Sequence, residues 1–120
     1  MVSISNEGII TLTRGDTFEY PVFMNAGTEL SPIRYIMTEN DTLYFALMEV
    51  NQTFEDAILK KVYTSEDLNE NGDVVAVLDS QDTECLDIGK YYYTLKLKRP
   101  KGEGYVVDTV VPNRLFYIIE

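Results

Sequence analysis

The chain has 120 residues, enough for one domain with its own core, and a hydrophobic content of 45% that is too high for a disordered polypeptide. Twenty acidic residues against ten basic ones give a formal charge of −10, which repels nucleic-acid backbones and anionic membrane surfaces, so neither is expected as a partner. With no histidine and the single cysteine Cys85, imidazole catalysis, the commonest zinc ligand and an internal disulfide are all excluded.

No apolar run approaches the length of a bilayer span, and Met1-Val2-Ser3-Ile4-Ser5 lacks the basic and apolar regions of a secretory signal. Ile9-Ile10-Thr11-Leu12-Thr13 is β-branched and apolar and predicts a strand. Arg14-Gly15-Asp16-Thr17 supplies the turn into a second strand, Phe18 to Phe23, which Pro21 assigns to a sheet edge or a bulge because it has no amide to donate. Asn25 to Asn40 reads as a connection containing Gly27 and Pro32, with Ile33, Tyr35 and Ile36 available to tuck it against the core.

Thr42 to Val50 is nearly all apolar, which predicts a strand covered on both faces, one by the core and one by a partner such as a neighbouring subunit. Tyr44, Ala46 and Met48 are the outward members of that strand and are assigned to a partner interface. Thr53-Phe54-Glu55-Asp56 has the spacing of a helical capping box and predicts one short helical turn before a strand from Ile58 to Thr64. Asp67 to Asp73 is turn-rich and leads to the strand Val74 to Leu78, after which Asp79 or Ser80 can cap a helical turn. Leu86 and Ile88 then return to the core.

Tyr91, Tyr93, Leu95 and Leu97 alternate with Lys90, Tyr92, Thr94, Lys96 and Lys98, the clearest period-two pattern in the chain. One face is core and the other wet. Tyr92 and Lys96, on the wet side, complete the candidate interface, since tyrosine offers broad contact area at low entropic cost. Arg99 to Gly104 reads as a hairpin loop, returning through Tyr105 to Val111, and Pro112-Asn113 is expected to break the strand before Leu115 to Ile119.

About seven or eight antiparallel strands in two sheets, with turns every ten or so residues, predict an all-β fold, an immunoglobulin-like β-sandwich spanning residues 1–120 as a single domain. In that frame Tyr91 is the corner tyrosine, its hydroxyl bonding back to upstream backbone. Tyr93 takes the place where antibody domains put their second cysteine, and must supply that core volume itself.

Three motifs have chemical readings beside plain structural ones. Arg14-Gly15-Asp16 spells an adhesion tripeptide, yet Gly-Asp is ordinary turn chemistry. Asp67, Asn69, Asn71 and Asp73 match the opening of a calcium loop, but its twelfth position, where a bidentate Glu belongs, is Leu78, leaving a loose surface calcium site or a simple turn. Asp79, Asp82, Glu84 and Asp87 either gather a cation or cap turns. No two carboxylates are marked as a catalytic pair, so a non-enzyme without cofactor is expected.

The order Ile10-Thr11-Leu12-Thr13-Arg14-Gly15-Asp16-Thr17-Phe18, Asp82-Thr83 with Leu86, Gly89-Lys90-Tyr91-Tyr92-Tyr93 and a closing strand pair after a Gly-rich hairpin resembles small immunoglobulin-like proteins of tailed bacteriophages and prophages, including the amino-terminal domain of baseplate upper proteins. The resemblance implies a non-enzymatic virion structural protein of the tail, baseplate or neck. It would be assembled in the bacterial host cytoplasm and dock to other virion proteins as a homo-oligomer or part of a larger assembly. In baseplate upper proteins further segments follow this domain, whereas this sequence ends at Glu120, so a capsid-surface component is an alternative. An acidic binding or inhibitor module for a host protein is another.

Overall fold

A computed structural model describes residues 2–5, 8–24, 30 and 33–120; Gly27 and Pro32 of the second connection lie outside them. The described residues form strands β1 (Val2–Ile4), β2 (Ile10–Thr13), β3 (Phe18–Val22), β4 (Thr42–Glu49), β5 (Leu59–Tyr63), β6 (Val74–Leu78), β7 (Gly89–Lys101) and β8 (Gly104–Ile119), with a single 3-10 turn at Ser65–Asp67 and one short α-helix, α1 (Ser80–Glu84). The class is all-β. Six strands form one sheet in the order β1-β2-β8-β7-β4-β5, and β3 and β6 pair in a second.

Every pairing is antiparallel except β2 with β8, which run parallel with Ile10 opposite Phe116 and Thr13 opposite Ile119. The wholly antiparallel expectation is corrected there. The turn after β2 carries the chain to the smaller sheet, so β2 keeps no hairpin partner on that side and receives β8, whose direction is set by its hairpin with β7. Gly15 makes this turn possible with φ of +88°, a conformation costly for any side chain.

The alternation of β7 puts Tyr91, Tyr93, Leu95 and Leu97 inward, where they meet Ile10 and Leu12 of β2, Leu43, Phe45 and Leu47 of β4, and Phe116 and Ile118 of β8. Phe18, Val22, Val74, Ala76 and Leu78 of the smaller sheet close the core from the other side. Tyr93 is its centre, stacked on Phe45 at 6.0 Å between ring centroids and edge-on to Tyr20 at 6.0 Å and Phe116 at 6.1 Å. Rings at these separations add about 0.5–1.5 kcal/mol per pair beyond the area they bury. The core therefore holds without a disulfide, and Cys85 is free and exposed.

Side chains of β5 tie the sheets together at one edge. The Tyr63 hydroxyl accepts from the Val77 amide at 2.9 Å, and Lys61 pairs with Asp82 of α1 at 2.8 Å. Asp79 caps α1 by accepting from the Asp82 amide, and Asp82 accepts in return from the Asp79 amide, both at 3.0 Å.

Several local expectations are revised. Thr53 to Asp56 forms a turn and not a helix: the Asp56 carboxylate accepts from the Thr53 amide and hydroxyl, at 2.6 and 2.8 Å, half of the expected capping box, but the chain goes on into β5. The hairpin loop shrinks to Gly102-Glu103, where Gly102 has φ of +61°, while the flanking strands pair through Lys101 and Gly104. Pro112 does not break β8. Register shifts opposite Tyr93 to Lys96 take up the extra residues as a bulge, and the Thr94 hydroxyl donates to the Val111 carbonyl at 2.6 Å to fill the gap in the ladder. Ile33, Ile36 and Ile88 are exposed; Tyr35 and Met37 tuck the second connection against the core, and Leu86 alone of its pair is buried.

Candidate interaction surface

The pleat brings the five interface residues to one face. Tyr44 lies opposite Lys96, Ala46 opposite Thr94, and Met48 opposite Tyr92, all on the side of the larger sheet turned away from the core. Two of them offer a partner nothing, because Ala46 is 0% and Met48 2% exposed within the chain itself. Part of the cover expected from another subunit is supplied within the chain by Phe54, which sits edge-on to Tyr44 at 5.9 Å, beneath Lys60 at 4.2 Å and Lys96 at 4.8 Å from its ring centroid. Ala46 and Met48 are therefore inner supports of this surface. Tyr44, Tyr92 and Lys96 remain partly exposed on it.

Lysine on aromatic ring recurs across the whole face. Lys98 lies 4.1 Å from the centroid of Tyr105, and Lys90 lies 5.7 Å from that of Tyr92. Each contact contributes about 0.5–1 kcal/mol at an exposed site and fixes where the ammonium points. Among the described residues none of these four lysines is in an ion pair; the salt bridges are Arg34–Asp73, Lys61–Asp82 and Arg99–Asp108. The outward positions of β2, β4, β5, β7 and β8 also bear no carboxylate, although a sixth of the chain is acidic. Among the strand positions charge is segregated, while the segment 50–58 itself carries the exposed Glu55 and Asp56. No periodicity marks Phe54, and Lys60 lies in the strand expected from Ile58 to Thr64 without a sign of which strand it joins, so both were missed as members of this surface; an isolated aromatic in a polar connection was the one signal pointing to Phe54.

The opposite side of the molecule carries the other sign. On the smaller sheet Glu19 stands beside Val77 and Pro21 beside Val75 on the outward side, with exposed Asp79 and Glu84 of the α1 segment at one end.

The calcium candidates serve their own loop. Asp67 accepts from the Thr64 amide at 2.8 Å, Asn69 accepts from the amides of Asn71 and Asp73 at 2.9 and 3.0 Å, Arg34 pairs with Asp73, and the Asn71 carbonyl accepts from Arg34 at 2.5 Å. Among the described residues no three potential ligands of the His, Cys, Asp or Glu type converge. The second acidic cluster is spread likewise: Asp79 and Asp82 cap α1, and Asp87 offers its carbonyl to Tyr91 at 2.6 Å. Burial opposes ionisation of Asp82, yet the bonds from Lys61 and the Asp79 amide outweigh it and hold its carboxyl below the usual aspartate value. Arg14-Gly15-Asp16 forms a docked turn, with Arg14 donating to the Glu84 carbonyl at 3.1 Å and the Asp16 carbonyl accepting from Thr83 at 2.9 Å.

A cavity of about 440 Å³ opens between the second connection and the β7–β8 hairpin, lined in part by Phe23, Tyr35, Leu97 and Val110. Three of its polar residues are already matched: Arg99 binds Asp108 at 2.5 Å, and the Tyr35 hydroxyl donates to the buried Asp41 carboxylate. No family model matches the chain, and no curated protein or solved structure is significantly similar to it.

Proposed function

We propose that the chain is an immunoglobulin-like sandwich working as a non-enzymatic structural or assembly protein of a tailed-phage virion, in the tail, baseplate or neck, through protein–protein contacts. The fold part of this reading is supported by the sheet order, in which the last strand, β8, pairs in parallel with β2 on one side and forms a hairpin with β7 on the other, and by the Tyr91 hydroxyl tied to the carbonyl of Asp87. The phage part draws on the resemblance carried by the residues from Ile10 to Phe18 and from Asp82 to Tyr93.

One observation carries the contact function. The last β4 pairing is Thr42 with Lys98, yet β7 and β8 continue as a two-stranded ladder to Lys101 and Gly104, projecting Pro100 and Tyr105 into solvent with Val107 exposed at its base. Tyr105 and Val107 are 65% and 58% exposed. A ladder prolonged beyond its sheet, with apolar side chains left exposed on the outer side, makes sense as an arm that docks.

Fractionation of virions from a lysogen carrying the gene, with antibody detection, tests the assignment. The protein is expected in tail or baseplate fractions, and Tyr105→Ser with Val107→Ser should deplete it there without unfolding it. Recovery in heads would move the role to the capsid surface; complete absence from virions would end the phage reading.

A further inference from the structure

The two outer faces of the fold are complementary to each other. On the larger sheet, Lys60 and Lys96 are held on Phe54 and Lys98 on Tyr105, three lysines that are in no ion pair among the described residues and have apolar ground between them. On the smaller sheet, Val75, Val77 and Pro21 form a narrow apolar strip that carries Glu19. One sheet covers the other, so these surfaces point in opposite directions and cannot meet within one chain. They can meet between two.

We infer that the chain docks head to tail with a second copy of itself, the lysine–aromatic face of the larger sheet seating the Glu19 face of the smaller sheet of the next copy. A second copy is favoured over an unrelated acidic partner because the matching surface is present on the chain: opposite charge over a similar apolar centre. The contact is heterologous, so each copy keeps one free face of each kind and the assembly grows as a file or closes as a ring. Net charge of −10 per copy opposes long-range approach, and salt screens both that repulsion and the local attraction. Salt screens the spread-out repulsion before the charge pairs at contact distance, so the contact is strongest at moderate ionic strength, about 50–150 mM, and weakens well above it. The inference stands on the two sheet faces and is independent of the virion reading.

Sedimentation velocity of the full chain from ~10 μM to ~1 mM covers the affinities of weak, additive contacts. The wild-type chain is expected to associate as concentration rises at ~50 mM salt, and less so at ~500 mM. Lys60→Glu with Lys96→Glu, and separately Glu19→Lys, should each weaken association about tenfold or more. Circular dichroism melts check that these exposed substitutions leave the fold intact. The decisive sample is the equimolar mixture: one variant keeps its acidic face, the other its lysine face, so association returns on mixing. A wild-type chain that stays monomeric throughout, association stronger at ~500 mM salt than at ~50 mM, variants that associate as the wild type does, or a mixture that stays monomeric would each overturn the inference. Binding to poly-L-glutamate without self-association would do so too, and would name a foreign acidic chain as the occupant.

Discussion

The hydroxyl of Tyr93, at the centre of the core, donates to the carbonyl of Gly8 at 2.5 Å across a separation of 85 residues. This bond fixes the entrance to β2 against the middle of β7, and burial pushes the phenol up to about 12. Tyr93→Phe keeps the ring and removes the bond, leaving a buried carbonyl unpaired, at a cost of about 1–3 kcal/mol. Urea unfolding should show a lower midpoint with an unchanged slope. The raised value has a definite sign. Below pH 10.0 the phenol is protonated folded and unfolded alike; above it the unfolded chain ionises first, so stability falls as pH rises from 10 toward 12. Tyr93→Phe should flatten that alkaline decline.

Tyr91 and Tyr92 are neighbours with opposite fates. Tyr91 is buried and tied to the Asp87 carbonyl, whereas Tyr92 faces outward beneath Lys90. Tyr91→Phe should lower stability by about 1 kcal/mol. Tyr92→Phe should change it by less than about 0.5 kcal/mol, as surface substitutions do. Thermal melts of the two variants check the contrast.

Phe54 substitutes for a partner on the outer face of β4. Phe54→Ala should uncover Ala46 and Met48, cost about 2–3 kcal/mol, and raise the fluorescence of a hydrophobic dye while the chain remains folded. Equal dye fluorescence in wild type and variant would mean that other residues shield that strand.

The Lys61–Asp82 pair joins β5 to α1 and predicts an acid limb. Its hydrogen bond to Asp82 raises the Lys61 value, and the same bond helps hold Asp82 below the ordinary 3.8. A depressed carboxylate contributes stability above its unfolded value and loses it as pH falls through the folded one, so this contribution fades below about pH 4. Asp82→Asn should cost about 1 kcal/mol near neutrality, and the gap to wild type should close toward pH 2. Denaturation midpoints at successive pH values measure it.

What the sequence displayed and what it concealed divide along physical lines. The rows of β7 were legible because a strand with one wet face and one dry face must alternate, and Tyr91 to Leu97 do. The all-β class followed from such runs and the turns between them. Phe54 was not legible as a cover for β4, because a single aromatic in a turn has no period, so the apolar run Leu43 to Met48 suggested an external partner. Pro112 suggested a break because the bulge that accommodates it depends on the register between β7 and β8, which the residues around Pro112 do not reveal. Ile88 suggested burial by its apolar nature alone, yet it is half exposed beside the turn at Gly89. Of the candidate surface, Tyr44, Tyr92 and Lys96 were found by outward parity; Lys60 came to light only when β5 was seen to pair with β4.

The parallel pairing of β2 with β8 has a mechanical consequence. Tension applied through the two ends of the chain pulls these strands along their own axes in opposite directions, so the ladder from Ile10–Phe116 to Thr13–Ile119 is sheared and its bonds must yield together. The antiparallel β1–β2 ladder would be peeled one bond at a time under the same load. A component strung between neighbours would thus give slightly at β1 and then resist, with its core shielded from the pull by four residues of β2.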